Sequence, residues 1–391
     1  MSGFPAARHI PIGKIAGRIR LTEPWRYKAP FLISVVYFFL YSAGIRFSDA
    51  VLAVACALCT IAGIASIGYL ANDLCDRDSD RAAGKPNVTF LLGRSQVLIL
   101  FVIAGAAAQL PWMIFVPIDP IWVSLLAAEY VLFAAYVARP IRLKERGFLG
   151  PIADALYAHA NPALLAGYIM NRLTGARYPH PIGLLSALFA WQFFLGLRNI
   201  LEHQISDAAS DRLGGTSTYV TQSGEAAAVR LLRTFVVPLE FAGFAAYLTI
   251  VSRTLPAVAV AFLLHLIVTA LIIRCYSSRF TAGSLHERLA LFIDDFTLGW
   301  MPLITVASLA SVDWRNSGLL LVHVLVFQTR LSPLFASLQC AARDAFIHIR
   351  SLPKRPSPAR LPSTTNAIAP PRSGHDTSDA LDREAGSRGA F

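Results

Sequence analysis

Carboxylates at helical spacing are the first chemistry in this chain. Asn72-Asp73-Leu74-Cys75-Asp76-Arg77-Asp78-Ser79-Asp80 places four of them beside an amide. At about 100° per residue, a helix through this segment gathers Asn72, Asp73, Asp76 and Asp80 on one face and turns Asp78 away. Like charges held that close repel, and a divalent cation removes the conflict. Oxygen ligands are what Mg²⁺ prefers, usually shared with substrate phosphates. A second run, Asn199, His203, Asp207 and Asp211, carries one such residue every fourth position before Gly214-Gly215-Thr216 breaks the helix. Two stripes predict two metal ions clamping one polyanion. Diphosphate fits, since Mg²⁺ can bridge its oxygens and neutralise its charge as it leaves. The expected metal ligands are Asp73, Asp76, Asp80, Asp207 and Asp211.

Both stripes follow apolar blocks. The chain has 391 residues, is 55% hydrophobic and only 15% charged, and has a mean hydropathy of +0.53. Soluble chains are nearer 25% charged, so soluble globular, disordered and collagen-like classes are excluded. Apolar blocks fall at about 30–45, 48–71, 96–116, 120–138, 150–170, 182–200, 229–251, 255–273, 296–312 and 317–329. Most approach the roughly 20 residues a helix needs to cross a bilayer, and lipid-exposed backbone must satisfy its own hydrogen bonds. The expectation is an all-α, polytopic bundle of nine to ten transmembrane helices. The tenth block spans only if it continues past Arg330. Residues 1–29 form a basic lead, 30–341 the membrane domain, and the Pro-, Ser-, Arg- and Gly-rich stretch 351–391 a disordered tail. The stripes end the second and sixth blocks, which hints at two related halves.

Net charge is +11 and the pI about 9.7. In a membrane protein this balance belongs to cationic loops and anionic head groups rather than nucleic acid. With alternating sides, 21 Lys and Arg fall on the side of the lead, 5 on the other, and 9 in the tail from Arg330 onward. That split puts the lead, the tail and both stripes on the cytoplasmic side and favours an even number of spans. Cys56 and Cys59 form a C-x-x-C inside an apolar run with no second pair nearby, so packing is expected of them. No cleavable secretory leader is expected, because no small-residue cleavage site follows the first apolar block.

The first stripe matches the Asn-Asp-x-x-Asp-x-x-x-Asp motif of the UbiA superfamily of intramembrane prenyltransferases, which the chain resembles over roughly residues 20–310. Asp207 and Asp211 resemble its second Asp-rich motif, and Tyr136-Val-Ala-Arg-Pro-Ile-Arg142-Leu-Lys144-Glu-Arg-Gly147 its Tyr-plus-Lys loop. The resemblance implies a helical bundle around a lipid-open central cavity, Mg²⁺ as cofactor, and an isoprenyl diphosphate with a lipophilic or aromatic acceptor as substrates. It implies catalytic roles for Asp73, Asp76, Asp207, Lys144 and Tyr136, substrate contacts from Asn72, Arg142, Lys85, Arg198, Asn199 and His203, and a bacterial inner membrane location. Two positions depart from the family. His203 stands where many members carry an Asp, and Arg81–Asn87 is shorter than the Arg/Asn-rich stretch of ubiquinone-type members.

Polar residues inside spans cost several kcal/mol unless paired. Glu129, Asp154, His159, Asn161, Glu240 and His265 are therefore expected either to line the cavity or to bond helix to helix. Trp191, Phe193 and Phe194 could line an isoprenoid tunnel or face a carbocation, or simply form core. Three functions follow: transfer of an isoprenyl group to an acceptor, cyclisation of the same cation without an acceptor, or a non-catalytic transporter or scaffold.

Overall fold

The computed structural model describes residues 22–82, 84–175, 178–275, 292–329 and 331. The start of the basic lead, residues 276–291, the continuation of the tenth block past Arg330 and the tail lie outside the described residues. Every regular element among the described residues is helical. The main helices are α1 (Ala29–Ser42), α2 (Phe47–Cys75), α3 (Arg94–Phe115), α4 (Pro120–Val137), α5 (Leu149–Ala155), α6 (Asn161–Leu173), α7 (Pro181–Leu213), α8 (Glu225–Leu231), α9 (Val237–Thr254), α10 (Pro256–Cys275), α11 (Met301–Leu309) and α12 (Ser317–Val326).

A helix occupies each of the ten apolar blocks. Among the described residues, six helical stretches are long and apolar enough to cross a bilayer, and Ala29–Ser42 and Pro256–Ala270 are shorter apolar helices. The length of α1 follows from its place. Eleven of its 14 residues are buried, so it is an interior post, with Phe31, Tyr37, Phe38 and Phe39 packed into the main core beside Trp191, Tyr247 and Phe296. The outer helices show the opposite pattern. Leu98 and Val102 of α3, Leu263 and Ile267 of α10, and Leu321 and Leu325 of α12 are all exposed, as lipid-facing side chains are.

Three spans change pitch, each for the same reason. The stretches Leu156–Ala160, Leu232–Val236 and Phe296–Trp300 are π-helical, and each runs up to a residue followed by proline: Asn161-Pro162, Val237-Pro238 and Met301-Pro302. Proline lacks the N–H for a normal helical bond, and its ring crowds the carbonyl four residues back. The wider turn moves that carbonyl away. In all three the residue before proline donates its N–H five residues back: Asn161 to Leu156, Val237 to Leu232 and Met301 to Phe296. α5 and α6 thus form one interrupted span, as do α8 and α9.

The end of the bundle away from the acidic segments is tied by side chains. Asp119 caps α4 through the Trp122 N–H at 2.9 Å and accepts the Tyr168 hydroxyl, also at 2.9 Å. The Trp122 N–H, then Tyr168 and Arg172, hold the Asp119 carboxyl below the usual carboxylate range against the opposing effect of burial.

Helices that gain no hydrophobic advantage over lipid must pack through close contact, which favours small residues. At Gly63 of α2 a Cβ would stand 2.5 Å from the Ala104 carbonyl oxygen and 2.6 Å from the Ala108 N of α3. Both are backbone atoms and cannot swing aside. Gly63→Val should therefore push α2 from α3 and lower the unfolding midpoint in detergent, at a cost on the order of 1–3 kcal/mol. Gly68→Ala, with nothing within 4 Å of its added Cβ, should leave that midpoint unchanged in the same thermal melt.

Candidate active site

α2 stops at Cys75, Asp76 caps it, and a short helix, Arg77–Ala82, follows at once. Hydrogen bonds from the Asp76 N–H to the Asn72 carbonyl (2.9 Å) and from the Asp80 N–H to the Asp76 carbonyl (2.8 Å) carry the helical pattern across the turn. Asp78 is exposed, as the spacing predicts. Each acid of the expected carboxylate face is drawn to its own donor. The Lys144 ammonium holds both Asp76 oxygens, at 2.6 and 2.5 Å, and reaches Asn72 Oδ1 at 3.3 Å. The Arg142 guanidinium adds a bond to Asp76 at 3.0 Å. Asp73 Oδ2 accepts the Val88 N–H at 3.0 Å. The Asn87 amide donates both to the Asp73 carbonyl (2.7 Å) and to Asp80 Oδ2 (2.8 Å).

The two cations come from the loop after α4, where one turn, Leu143–Glu145, follows Arg142. Arg142 sits in the left-handed region, φ 44° and ψ 60°, a conformation that costs a residue with a Cβ about 1–2 kcal/mol. Its bonds to Glu145 (2.6 Å) and Asp76 hold it there. Burial works against its charge, but Glu145 and Asp76 outweigh it and hold the guanidinium above its ordinary pKa.

The second stripe lies on one unbroken helix, as its spacing predicts. α7 carries Asn199, His203, Asp207 and Asp211 to Leu213. It closes with Gly215 at φ +67° and with the Thr216 N–H donated to the Asp211 carbonyl at 2.9 Å. Asp211 is within electrostatic range of Lys85, Asp207 and Lys144, so the cation that grips Asp76 also feels the second stripe. Lys85 is exposed, as are His203 and Asp207. Among the described residues no three carboxylate, imidazole or thiol groups converge on one metal-sized position.

A cavity of about 1180 Å³ has Asn72, Tyr136, Asn199 and His203 in its wall, together with apolar Phe31, Ile61, Ile64, Trp112 and Met170. Two π turns supply more of it, through Tyr157, Ala158 and His159 and through Thr297 and Leu298. Of the intramembrane polar residues, Glu129, Asp154 and His159 line the cavity. Asn161 bonds helix to helix, donating to Glu129 at 2.7 Å and to the Leu125 carbonyl at 3.0 Å. His265 Nε2 lies 2.9 Å from the Phe292 carbonyl oxygen.

One expectation changes here, and one open alternative is decided. Arg198 was expected to face phosphate, yet it is 2% exposed and engaged by carboxylates. Its Nε and one terminal nitrogen bond Glu240 at 2.7 and 3.0 Å, that same nitrogen reaches Asp294 at 2.8 Å, and Glu202 lies at 3.5 Å. Trp191, Phe193 and Phe194 are absent from the cavity wall. Trp191 packs edge-on against Phe31 and tilted against Phe244 and Tyr247, while Phe193 and Phe194 pack on a second core around Leu197 and Leu201. The sequence reading missed Asn87, Tyr157, Glu202 and Asp294. Asp294-Asp295 opening an apolar block was a visible signal for the last of these. Its partner Arg198, nearly a hundred residues earlier, was not.

The pattern of the UbiA prenyltransferase family matches residues 31–293. The chain belongs to that family. It is an integral membrane protein, and family members act on prenyl diphosphates as prenyltransferases or related terpene cyclases. Two solved structures are similar to it. A UbiA homolog from Archaeoglobus fulgidus bound to GPP and Mg²⁺ is 18% identical, with a TM-score of 0.49, over 76% of this chain and 99% of its own. A UbiA homolog from the same organism bound to DMAPP and Mg²⁺ is also 18% identical, with a TM-score of 0.43, over 80% of this chain and 99% of its own. A search of curated proteins found no match.

Asn87 is buried and spans the first acidic segment. Asn87→Ala removes the donor shared by Asp73 and Asp80 and the acceptor of the Thr89 N–H and hydroxyl. Amide exchange at Val88 and Thr89 should quicken on the order of 10-fold, matching the loss of about one hydrogen bond. The helical circular dichroism should stay intact. Unchanged exchange would show that Asn87 does not fix the segment.

Proposed function

We propose that the chain is an intramembrane prenyltransferase that ionises an isoprenyl diphosphate and passes the prenyl group to a lipophilic or aromatic acceptor. One observation carries this reading: Lys144 grips the first acidic stripe within electrostatic range of the second, where Asn72, Tyr136, Asn199 and His203 border a largely apolar cavity. A molecule with a polyanionic head and an apolar tail suits that boundary.

The donors support Mg²⁺. Asn72, Asp73, Asp76, Asp80, Asp207 and Asp211 offer oxygen only, and Mg²⁺ takes one or two carboxylates, waters and substrate phosphate oxygens rather than a closed protein cage. Separate carboxylates on two helix ends fit that habit. When bound, the metal would offset the diphosphate's charge as the C–O bond breaks. Lys144 and Arg142 are already desolvated and aimed at Asp76, so an arriving diphosphate meets cations that need little reorganisation. Tyr136, in the cavity wall, is placed to donate a hydrogen bond to the leaving oxygen. Lys85, exposed and within electrostatic range of Asp211, would steer the head group. Arg198, itself in the wall, holds Glu202 and Asp294 there. The charge split puts this site on the cytoplasmic face, in keeping with a bacterial inner membrane protein.

The test is Mg²⁺-dependent diphosphate release from C10, C15 and C20 prenyl diphosphates by protein in proteoliposomes. The wild type should release diphosphate. Asp73→Ala and Asp76→Ala should lose on the order of 10²–10³-fold, the usual scale for removing one preorganised electrostatic group, while still inserting and folding. Near-normal release by either variant under saturating Mg²⁺ would overturn the assignment. A cyclic product from the prenyl diphosphate alone would make the chain a terpene cyclase instead.

His203 is one turn from Asp207 on α7 and lines the cavity. We read it as a hydrogen-bond donor to the diphosphate or to a metal-bound water, since Mg²⁺ prefers oxygen to imidazole nitrogen. His203→Asp should keep substantial activity with an altered Mg²⁺ requirement. His203→Leu should lose about 10- to 100-fold, the equivalent of one charge-assisted bond. A fully active Leu variant would remove His203 from the site.

A further inference from the structure

Four carboxylates line the cavity: Glu129, Asp154, Glu202 and Asp294. Three are accounted for. Glu202 and Asp294 are held by Arg198, and Glu129 is 3% exposed and bonded to the Asn161 amide. Asp154 is different. Its hydrogen-bond partner is a neutral phenol, the Tyr157 hydroxyl donating to Oδ1 at 2.8 Å. That bond fixes the carboxylate and leaves Oδ2 for another partner. Among the described residues, Lys28 and His203 are the charged or titratable groups within electrostatic range besides Tyr136 and Tyr157.

The surroundings are aromatic. The Tyr157 ring lies 5.1 Å from Phe133 and 5.1 Å from Tyr136, centroid to centroid, and all three rings border the cavity. Tyr136 is within electrostatic range of Asp76, Asp211 and Asp154 alike. Asp154 therefore shares the electrostatic neighbourhood of the Tyr136 hydroxyl with both acidic segments, on whose side the first carbon of a prenyl chain would be freed from its diphosphate. Aromatic faces suit a cation there, and a carboxylate suits what happens next.

The electron count requires a base. The C–O bond breaks and its pair leaves with the diphosphate. A π pair, from an aromatic acceptor or from the chain's own double bond, then forms the new C–C bond and leaves a positive charge on carbon. That charge is removed when a neighbouring C–H bond breaks, its pair restoring the ring or making an alkene, and the proton departs. We propose that Asp154 is the base that takes this proton on Oδ2, with Tyr157 as its positioning residue. The assignment rests on the prenyl diphosphate reading, and it holds whether the product is a prenylated acceptor or a cyclised hydrocarbon.

The test separates ionisation from proton loss. Full-length protein in liposomes made from source-membrane lipid extract, which supplies any lipophilic acceptor, receives Mg²⁺ and geranyl, farnesyl or geranylgeranyl diphosphate labelled with ¹⁸O at the bridging position. Scrambling of the label reports C–O cleavage and return. Extracted products report proton loss. Asp154→Asn should scramble within about threefold of the wild type and yield at least about 100-fold less deprotonated product, the lower end of general-base catalysis, with the prenyl alcohol from water capture taking its place. Tyr157→Phe should lose about 3- to 10-fold of product without losing scrambling, and Asp154→Glu should recover product relative to Asp154→Asn. The assignment is overturned if Asp154→Asn makes product at the wild-type rate. It is equally overturned if product and scrambling fall together, since the carboxylate would then act in ionisation or folding. Wild-type protein that neither scrambles the label nor releases diphosphate would overturn the diphosphate reading itself, and this assignment with it.

Discussion

A chain in hydrocarbon must pair its own backbone N–H and C=O groups, and that constraint shapes every feature of this protein. It makes each apolar block a helix, so hydrophilic chemistry is left with helix ends, connecting loops and a protein-lined cavity. The carboxylates of the first segment occupy an end, where α2 gives way at Asp76, and those of the second occupy the last turns of α7. The cavity wall needs irregularity inside the spans, and proline provides it without orphaning a donor. At Pro162 and Pro302 the missing N–H is absorbed by a wider turn whose last N–H bonds five residues back, and both turns put side chains into the cavity. Backbone satisfaction and site construction are the same event at these positions.

Charge inside the bundle obeys a second rule. Arg198 and Glu240 are 2% and 1% exposed, and removing two ions from water costs several kcal/mol each before their attraction returns anything. A bidentate bond recovers part of that cost, and Asp294 and Glu202 bring further negative charge to the same guanidinium. Such a cluster is weak evidence of net stability but strong evidence of register. Only one alignment of α7, α9 and the segment before α11 lets one arginine meet all three acids. The cluster thereby fixes the α7 turn that begins at Asn199, from which the rest of the second stripe follows by helical spacing.

Much of this was readable in the residues. The ten apolar blocks foretold the helices because bilayer length and apolarity are local properties. The Asn199–Asp211 stripe lay where its spacing put it because nothing interrupts α7 before Gly214. The donors of the first segment were not legible because helical extrapolation treats side chains as having no other partners. Asp76 was claimed by Lys144 and Arg142, and Asp80 by Asn87, and none of those donors lies on α2. Arg198 was misjudged for the same reason: a cation near a phosphate-side turn looks available until its distant acids are known. The π turns were legible in principle, since an Asn-Pro, Val-Pro or Met-Pro inside an apolar run calls for an adjustment, though the sequence does not say whether the helix will kink, break or widen.

The contrast between Arg198 and Lys144 shows how position divides labour among like charges. Both bond carboxylates at under 3 Å. Arg198 has its planar fork filled by acids within a nearly dry interior, and its geometry could change only by leaving a buried carboxylate unpaired, which is costly. Lys144 carries a compact, rotatable ammonium at the membrane edge, its side chain 14% exposed and its partner Asp76 equally so. It can keep one bond to Asp76 while turning others to an incoming anion, and water can cover the difference. A structural cation belongs where rearrangement is expensive, and a substrate-facing one where it is cheap. The chain places its arginine and its lysine accordingly, so that the group shaping the wall cannot be pulled out of it by the anion that the loop is built to receive.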